Sequence, residues 1–305
     1  MSRRSDVALF VVLPLIWGLS FPAISIGLEY LPPLLFAALR YDIGAVVLLG
    51  FASLRRPEWL PRTRGTVIAI VVGGFLFAAG NGLLFLGQQT VPSGVAAIIG
   101  GLIPIATALW AIPLLGERLS GWGAAGVAIG FLGIALIVQP DPGNLLAGDT
   151  LGRLLVLGQV LCVSLGGVVV QWADPDLAPV PLAGWSLLVG TLVLHGASVL
   201  AGEAPTASAT APVALAALAY VAVVATAVAS VLYYGIIASR GAFEVSLVSY
   251  LIPVVATVAG VLFLGEVIGP PTFGGFALVA VGFALLRRRA LTQSVATALG
   301  VGGHG

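Results

Sequence analysis

Two charged residues lie within one apolar stretch of the chain. Residues 34–54 contain Arg40 and Asp42, and no other apolar stretch has charges well inside it. If this stretch crosses a bilayer, each charge costs roughly 2.5 to 3.5 kcal/mol on insertion scales, and such residues are commonly functional. Arg40 could bind the carboxylate of a solute, or it could anchor the helix by reaching the membrane surface about 9 Å away. Asp42 lies on a different face of the helix and could pair elsewhere or titrate.

Further polar and aromatic residues interrupt the apolar stretches and could contact a solute. Asn81 stands between two glycines, so its amide could orient a polar ligand or hydrogen-bond to another helix. His195 could relay protons or hydrogen-bond to a neighbour. The aromatic residues could form cavity walls or pack in the core. The candidate solute-binding residues are Trp17, Arg40, Asn81, Phe85, Trp110, Gln159, Tyr234 and Tyr250, with Tyr233 as a further aromatic residue.

Prolines and acidic residues supply candidates for movement and for proton transfer. Pro104 and Pro253 fall within apolar stretches, where each is predicted to remove a backbone hydrogen bond from the middle of a helix. Each could be a hinge or a static packing kink. Glu244 could accept a proton, or its charge could favour a helix start. Asp42 and Glu244 are therefore the two candidates for proton coupling.

The basic and sulfur-containing residues exclude several chemistries. All 13 basic residues are arginine, so the chain has no lysine for a phosphate-binding loop or a Schiff base. Cys162 is the single cysteine, which excludes an internal disulfide, and two histidines are too few for a zinc cluster. Without an HExxH motif or paired carboxylates, we expect no enzyme activity, no cofactor and no metal. A net charge of +1 without a basic patch predicts no nucleic-acid partner.

The composition predicts a membrane protein. Of the 305 residues, 59% are hydrophobic and 8% are charged, and the mean hydropathy is +1.13. A soluble domain carries about 25% charged residues, because its surface must contact water. The chain is therefore predicted to be an all-α polytopic membrane protein.

Charge-free intervals of about 20 residues predict ten transmembrane helices. Six are the uncharged stretches 7–28, 119–140, 154–173, 177–202, 245–265 and 267–286. The polar turn 88–94 divides the stretch 65–116 into two helices, and 34–54 and 213–239 complete the ten. Apart from Arg40, eleven arginines map to one face and Arg153 alone maps to the other. Because cytoplasmic loops accumulate arginine, both termini are predicted to be cytoplasmic.

The two halves of the chain share an internal repeat. Residues 102–117 read LIPIATALWAIPLLGE and residues 251–266 read LIPVVATVAGVLFLGE, at an offset of 149. Each half has five helices, and because five is odd, the second half crosses the membrane in the opposite sense. Glu117 and Glu266 close the two matching segments and are predicted to accept backbone amides at a helix start. The predicted organisation is a first repeat at 1–140, an outer linker at 141–150, an inverted second repeat at 151–289 and a disordered cytoplasmic tail at 290–305.

This pattern resembles the EamA domains of the drug/metabolite transporter superfamily. The resemblance rests on a five-helix repeat with a proline in the fourth helix, a closing Leu-Gly-Glu and a glycine-rich fifth helix. The segments IWGLSF at 16–21 and LRY at 39–41 are similar to the opening of that family. Together these features cover nearly the whole chain. The resemblance implies ten helices, a central cavity between the two halves and export of small metabolites such as amino acids.

An inverted repeat is typical of secondary transport, because two similar units of opposite orientation can exchange conformations around a central site. The sequence therefore predicts a secondary transporter that exports a small organic metabolite, an amino acid or a related solute, across the cell inner membrane by alternating access. The alternative is a channel-like or lipid-handling membrane protein. The expected partners are a small-molecule substrate and lipid, with the chain as a monomer or a homodimer.

Overall fold

The computed structural model describes residues 3–55, 58–116, 121–138 and 148–286, and within them the regular secondary structure is helical, without strands. Glu117, the predicted tail at 290–305 and most of the predicted linker at 141–150 lie outside the described residues. The helix that follows the linker begins at Gly148, two residues before the predicted end of the linker.

The described residues form ten helical segments. The first half contains α1 (Arg3–Leu28), α2 (Pro33–Arg55), α3 (Arg64–Gly87), α4 (Ser93–Leu115) and α5 (Gly121–Val138). The second half contains α6 (Gly148–Ala173), α7 (Pro179–Leu200), α8 (Pro212–Arg240), α9 (242–264) and α10 (Pro270–Leu286). Six of them, α2, α3, α4, α6, α7 and α8, are long and apolar enough to cross a membrane, and the other four contain shorter apolar helices. The predicted all-α polytopic membrane fold is confirmed.

Helices α4 and α9 show the internal repeat most directly. Each is broken, and the part after the break is a helix of 13 residues, Ile103–Leu115 in α4 and Ile252–Leu264 in α9. Both parts end at a glycine in the left-handed conformation, with φ of 72° at Gly116 and 65° at Gly265. Glycine adopts this conformation without the steric penalty that a Cβ would bring. The two halves therefore begin and end this helix in the same way.

The two repeat prolines do not occupy the mid-helix positions that the sequence predicted. Pro104 and Pro253 each lie in the first turn of the part that follows the break. An N–H at that position has no partner within its own short helix, so proline removes no hydrogen bond from it. The expectation that each proline removes a hydrogen bond from the middle of a helix is therefore wrong. The prolines instead separate two helical pieces.

Helices α5 and α10 pack directly against each other, backbone against backbone. A Cβ added at Gly282 would lie 2.4 Å from the carbonyl oxygen of Gly126 and 2.8 Å from the amide nitrogen of Gly130. Such an approach requires glycine and is typical of small-residue helix interfaces in membranes. The pair stands beside the remaining eight helices, which enclose the interior of the protein.

Candidate functional site

A cavity of about 150 Å³ lies at the centre of the described structure. Its walls come from α1 to α4 of the first repeat and from α6 to α9 of the second, so four helices of each repeat contribute. No described residue of α5 or α10 lines it. An engineered protein cavity of about 150 Å³ can hold one benzene-sized molecule, so the volume fits a small organic solute.

Arg40 provides the charge of this cavity. Its side chain lines the cavity and is 6% exposed. Its guanidinium lies over the rings of Tyr41 and Phe85, at 5.1 and 4.7 Å from the ring centroids. Among the described residues no carboxylate pairs with it, and its Nε has no acceptor. Arg40 thus points into the protein interior and not toward the membrane surface.

Asn81 fixes the position of Arg40. The Arg40 Nη2 donates a hydrogen bond to Asn81 Oδ1. Asn81 Nδ2 in turn donates to the Tyr41 hydroxyl and to the Phe77 carbonyl oxygen, at 2.8 Å in both cases. Because the amide is held on both sides, it orients the guanidinium of Arg40.

An aromatic cluster forms one wall of the cavity. The Tyr233 ring is 5.6 Å from Trp17, 5.6 Å from Phe77 and 5.8 Å from Tyr234, measured between centroids. The rings of Phe77 and Tyr234 are 6.0 Å apart and nearly perpendicular. The Trp17–Tyr233 pair is tilted and the other three pairs are edge-to-face, which is favourable for aromatic rings, and the wall can contact an apolar or aromatic group of a solute.

The cavity also contains a neutral polar residue. Gln159 on α6 is 8% exposed and lines the cavity, and its Oε1 has no hydrogen-bond partner among the described residues. Buried polar atoms are normally hydrogen-bonded, so this Oε1 is an unused hydrogen-bond acceptor on a residue of the cavity wall.

Helix α1 is attached to a widened part of α8. Residues Tyr220–Val228 of α8 form π-helix, a rare conformation that often occurs at functional sites. Trp17 Nε1 donates to the carbonyl oxygen of Ala225 at 3.1 Å, and the Tyr220 hydroxyl donates to the carbonyl oxygen of Ile16 at 2.9 Å. These two bonds hold Trp17 at the cavity wall.

Three of the predicted solute-binding residues are not in the cavity lining. Phe85 is fully buried and packs edge-on against Phe36, with 5.1 Å between ring centroids. The Tyr250 ring contacts Phe276 of α10, at 6.4 Å between centroids. Trp110 lies in α4 about two turns beyond Ile103, the last residue of that helix in the lining. Trp17, Arg40, Asn81, Gln159 and Tyr234 are brought together at the cavity.

Asp42 lies outside the cavity. Its Oδ2 is 2.8 Å from His195 Nε2, and Asp42 borders a surface groove between α2 and α7. The side chains of Asp42 and His195 are 32% and 40% exposed. Glu244, the other candidate for proton coupling, belongs to the first piece of α9, and its side chain lies outside the part that the structure describes.

Two carboxylates of the second repeat bind helix starts of the first repeat. Glu266 accepts hydrogen bonds from the backbone N–H groups of Ser93 and Gly94, at 2.7 and 3.0 Å. Glu203 accepts from the N–H groups of Leu34 and Leu35, at 3.1 and 2.7 Å. Carboxylates are favourable at helix N-termini, where N–H groups lack helical partners.

The sequence analysis missed several residues of the lining. Phe77 precedes Asn81 by one helical turn and therefore shares its face, a spacing that could have identified it. Tyr41 is adjacent to Arg40 and could have been found through the hydrogen bond that a buried hydroxyl needs. Ser186, Ser230 and Ser249 also line the cavity, but serine is common in membrane helices and its type alone gives no signal.

Comparison with known proteins agrees with the repeat seen in the structure. Residues 5–139 and 150–288 both match the EamA-like transporter family. An uncharacterised inner membrane transporter of Escherichia coli K12, YedA, is 32% identical over 262 residues, covering 85% of this chain and 82% of that protein. A probable amino-acid metabolite efflux pump of the same strain is 28% identical over 294 residues, covering 92% of this chain and 94% of the pump. An uncharacterised Bacillus subtilis transporter, YvbV, is 26% identical over 306 residues, covering 99% and 97%.

The fold also matches a solved structure. A chain described only as "Crystal structure of protein" superimposes with a TM-score of 0.67 and is 22% identical, covering 95% of this chain and 99% of that chain. At this identity the match shows the fold alone. With both repeats matched by one family model and a relative above 30% identity, the chain belongs to the EamA-like transporter family and is an integral membrane transporter.

Proposed function

We propose that this transporter exports a small organic metabolite, an amino acid or a related solute, by alternating access through the central cavity. The observation that carries this proposal is the composition of the cavity wall, to which each repeat contributes four helices. A site between two such units can open to either side of the membrane when each unit adopts the conformation that the other had. The similarity to a probable amino-acid metabolite efflux pump supports the solute class.

Broken helices border the cavity on both sides and support a change of access. Ile103 and Ile252 both line the cavity, and each begins the part of its helix, α4 or α9, that follows the break. A residue at a helix break can absorb a change in backbone dihedral angles. Movement at these two breaks would therefore alter the wall of the cavity directly.

Counterflow in proteoliposomes tests the proposal. Purified protein is reconstituted into liposomes loaded with a pooled panel of amino acids, organic acids, sugars, nucleosides and organic cations, and accumulation of each labelled compound is measured. Saturable accumulation of one organic class against the loaded pool is the expected result. Flux without counterflow would instead indicate a channel, which is the alternative function. Labelled lipid that scrambles between leaflets would indicate a lipid-handling protein.

The proposed location is the cytoplasmic membrane with both termini in the cytoplasm. Because Cys162 is the single cysteine, a Cys162→Ser background allows one new cysteine to be probed. With Ser294→Cys in this background, an impermeant maleimide should label the tail after the membrane is permeabilised and not in intact cells. Equal labelling in intact cells would reverse the assigned orientation.

A further inference from the structure

We propose that the cavity selects organic monocarboxylates that lack a free ammonium group, and that the carboxylate binds at the guanidinium of Arg40. The inference rests on the proposed transport function and narrows its substrate. It predicts preference for an anionic acid over the corresponding amino acid, which is a zwitterion.

The first step concerns charge. Among the described lining residues, Arg40 alone carries a side-chain charge near neutral pH. It is almost fully buried, and no described carboxylate is its counter-ion. A charge removed from water requires a partner of opposite sign, so a bound anion would stabilise this arrangement.

The second step concerns geometry. The Nη2 of the guanidinium is bound to Asn81, and its Cζ lies 5.1 and 4.7 Å from the ring centroids of Tyr41 and Phe85. Its Nε is left without an acceptor among the described residues. A guanidinium binds a carboxylate through parallel N–H donors, and the donors that Asn81 leaves unused are suited to this ligand.

The third step concerns the acids that could have held an ammonium group. Asp42 pairs with His195 on the outer side of α2, and Glu203 and Glu266 bind helix starts. None of the three lines the cavity. An ammonium group in the cavity would therefore meet Arg40 without a described carboxylate, and like charges in a buried space repel. The aromatic rings attract cations less strongly than a carboxylate does.

The fourth step concerns the remainder of the solute. The cavity holds about 150 Å³ and is bordered by the aromatic cluster, so one ring or a branched apolar group fits beside the carboxylate. The free Oε1 of Gln159 is an acceptor only, so it suits a hydroxyl or another neutral donor group of the solute. A second carboxylate would find no second described cation in the lining. Dicarboxylates are therefore excluded together with zwitterions.

Binding to the purified full-length protein in detergent tests the inference with four matched compounds. 3-Phenylpropanoate carries the carboxylate alone, phenylalanine adds the ammonium group, 3-phenylpropanamide removes the charge, and benzylsuccinate adds a second carboxylate. Titration by thermal shift gives the relative affinities at pH 7.5. We expect 3-phenylpropanoate to bind at least about tenfold more tightly than each of the others, since each leaves a buried charge unpaired. Phenylalanine binding as tightly as 3-phenylpropanoate would overturn the inference.

Variants assign the preference to Arg40. Arg40→Gln should reduce the affinity for 3-phenylpropanoate at least about tenfold and leave the amide within about twofold, because only the acid uses the charge. Arg55→Gln, an exposed arginine on the same helix, is the matched control and should change neither affinity. Equal losses for the acid and the amide would reject the role of Arg40. Should Arg40→Gln fail to fold, the ligand series on the unaltered protein still decides the outcome.

The side chain of Glu244 belongs to a helix that borders the cavity, so it needs its own variant. If Glu244 holds an ammonium group, Glu244→Gln will weaken phenylalanine more than 3-phenylpropanoate, and the inference fails. Unchanged relative affinities support it.

Counterflow separates this inference from the transport function. Accumulation of amino acids or cations without acids would reject monocarboxylates as the substrate and retain the assignment as a transporter. Binding of 3-phenylpropanoate without counterflow of any compound in the panel would retain the site and reject transport.

Discussion

Gly133 of α5 and Gly275 of α10 lie back to back in the structure. A Cβ added at Gly133 would be 2.6 Å from the carbonyl oxygen of Gly275, and a Cβ at Gly275 would be 2.7 Å from the carbonyl oxygen of Gly133. Gly282 makes the corresponding approach to Gly126. Since Gly275 and Gly282 follow Gly126 and Gly133 by 149 residues, the contacts are reciprocal between the repeats. Reciprocal contacts of this kind indicate a two-fold axis, here between the two halves of one chain.

The glycine contact predicts a loss of stability on substitution. Gly133→Ala places a methyl group against a backbone carbonyl, which cannot move as a side chain can, and should destabilise the protein by about 1–3 kcal/mol. The measurement is the thermal unfolding midpoint of the purified protein in detergent. Gly196→Ala is the control, because a Cβ there has open space and an alanine is favourable within a helix. Equal midpoints for the two variants would contradict the close packing.

Pro104 and Pro253 remain the predicted hinges, now with a different physical reason. Alanine at either position supplies an N–H that can bond to the carbonyl four residues earlier, at Gly100 or Ser249. This would join the two pieces of the helix and stiffen the break beside the cavity. We expect each alanine variant to slow counterflow several-fold with an unchanged ligand affinity. Pro113→Ala, an exposed proline farther along α4, is the control. Unchanged exchange rates for Pro104→Ala and Pro253→Ala would show that these prolines have only a static packing role.

Asp42→Asn should have little effect on solute binding, although Asp42 is two residues from Arg40. Its side chain faces His195 and the outer groove, and asparagine can still hydrogen-bond to the histidine. We expect ligand affinity and counterflow to stay within about twofold of the unaltered protein, since Asp42 does not line the cavity. Measurement with and without an imposed pH gradient extends the test. Loss of gradient-driven accumulation with normal counterflow would assign Asp42 to proton coupling.

Asp176 predicts an acid-dependent contribution to stability. Hydrogen bonds from the hydroxyl groups of Thr66 and Thr63 hold the pKa of this loop carboxylate below its usual value. A carboxyl whose pKa is lower in the folded state stabilises the protein above its unfolded pKa, and this contribution is lost as the pH falls through the folded pKa. Asp176→Asn should therefore lower the unfolding midpoint at pH 6–7, with the difference starting to shrink below about pH 4 and disappearing once the pH is below the lowered folded pKa. A difference that persists unchanged at pH 3 would contradict this account.

The sequence predicted the helices and their repetition because both depend on patterns along the chain. Charges mark the ends of apolar stretches, and the repeat is visible as identical residues at a constant offset of 149. The positions of individual side chains around each helix were harder to predict. A membrane helix is apolar on all sides, so no polar face shows which residues point inward. Tyr234 reaches the cavity and Tyr250 does not, although both are tyrosines within apolar helices.

The partner of a polar residue depends on tertiary contacts that spacing along one helix does not contain. Arg40 and Asn81 are 41 residues apart and meet because α2 and α3 pack together. His195 and Asp42 are separated by 153 residues. The breaks in α4 and α9 were predicted to be at the prolines, whereas the chain leaves the α-helix just before them. Proline favours a helix start as well as a kink, and the sequence alone does not distinguish the two.

Glu203 and Glu266 hold two helix starts at the same end of the protein, through four backbone N–H groups in total. Each carboxylate binds two amides of one helix start, so an opening that separates a helix start from its carboxylate breaks two hydrogen bonds together. Water replaces these bonds only after they break, which raises the barrier more than it changes the equilibrium. Opening at this end should accordingly be a slow step with a steep temperature dependence, and it is the step at which cooling would first limit turnover.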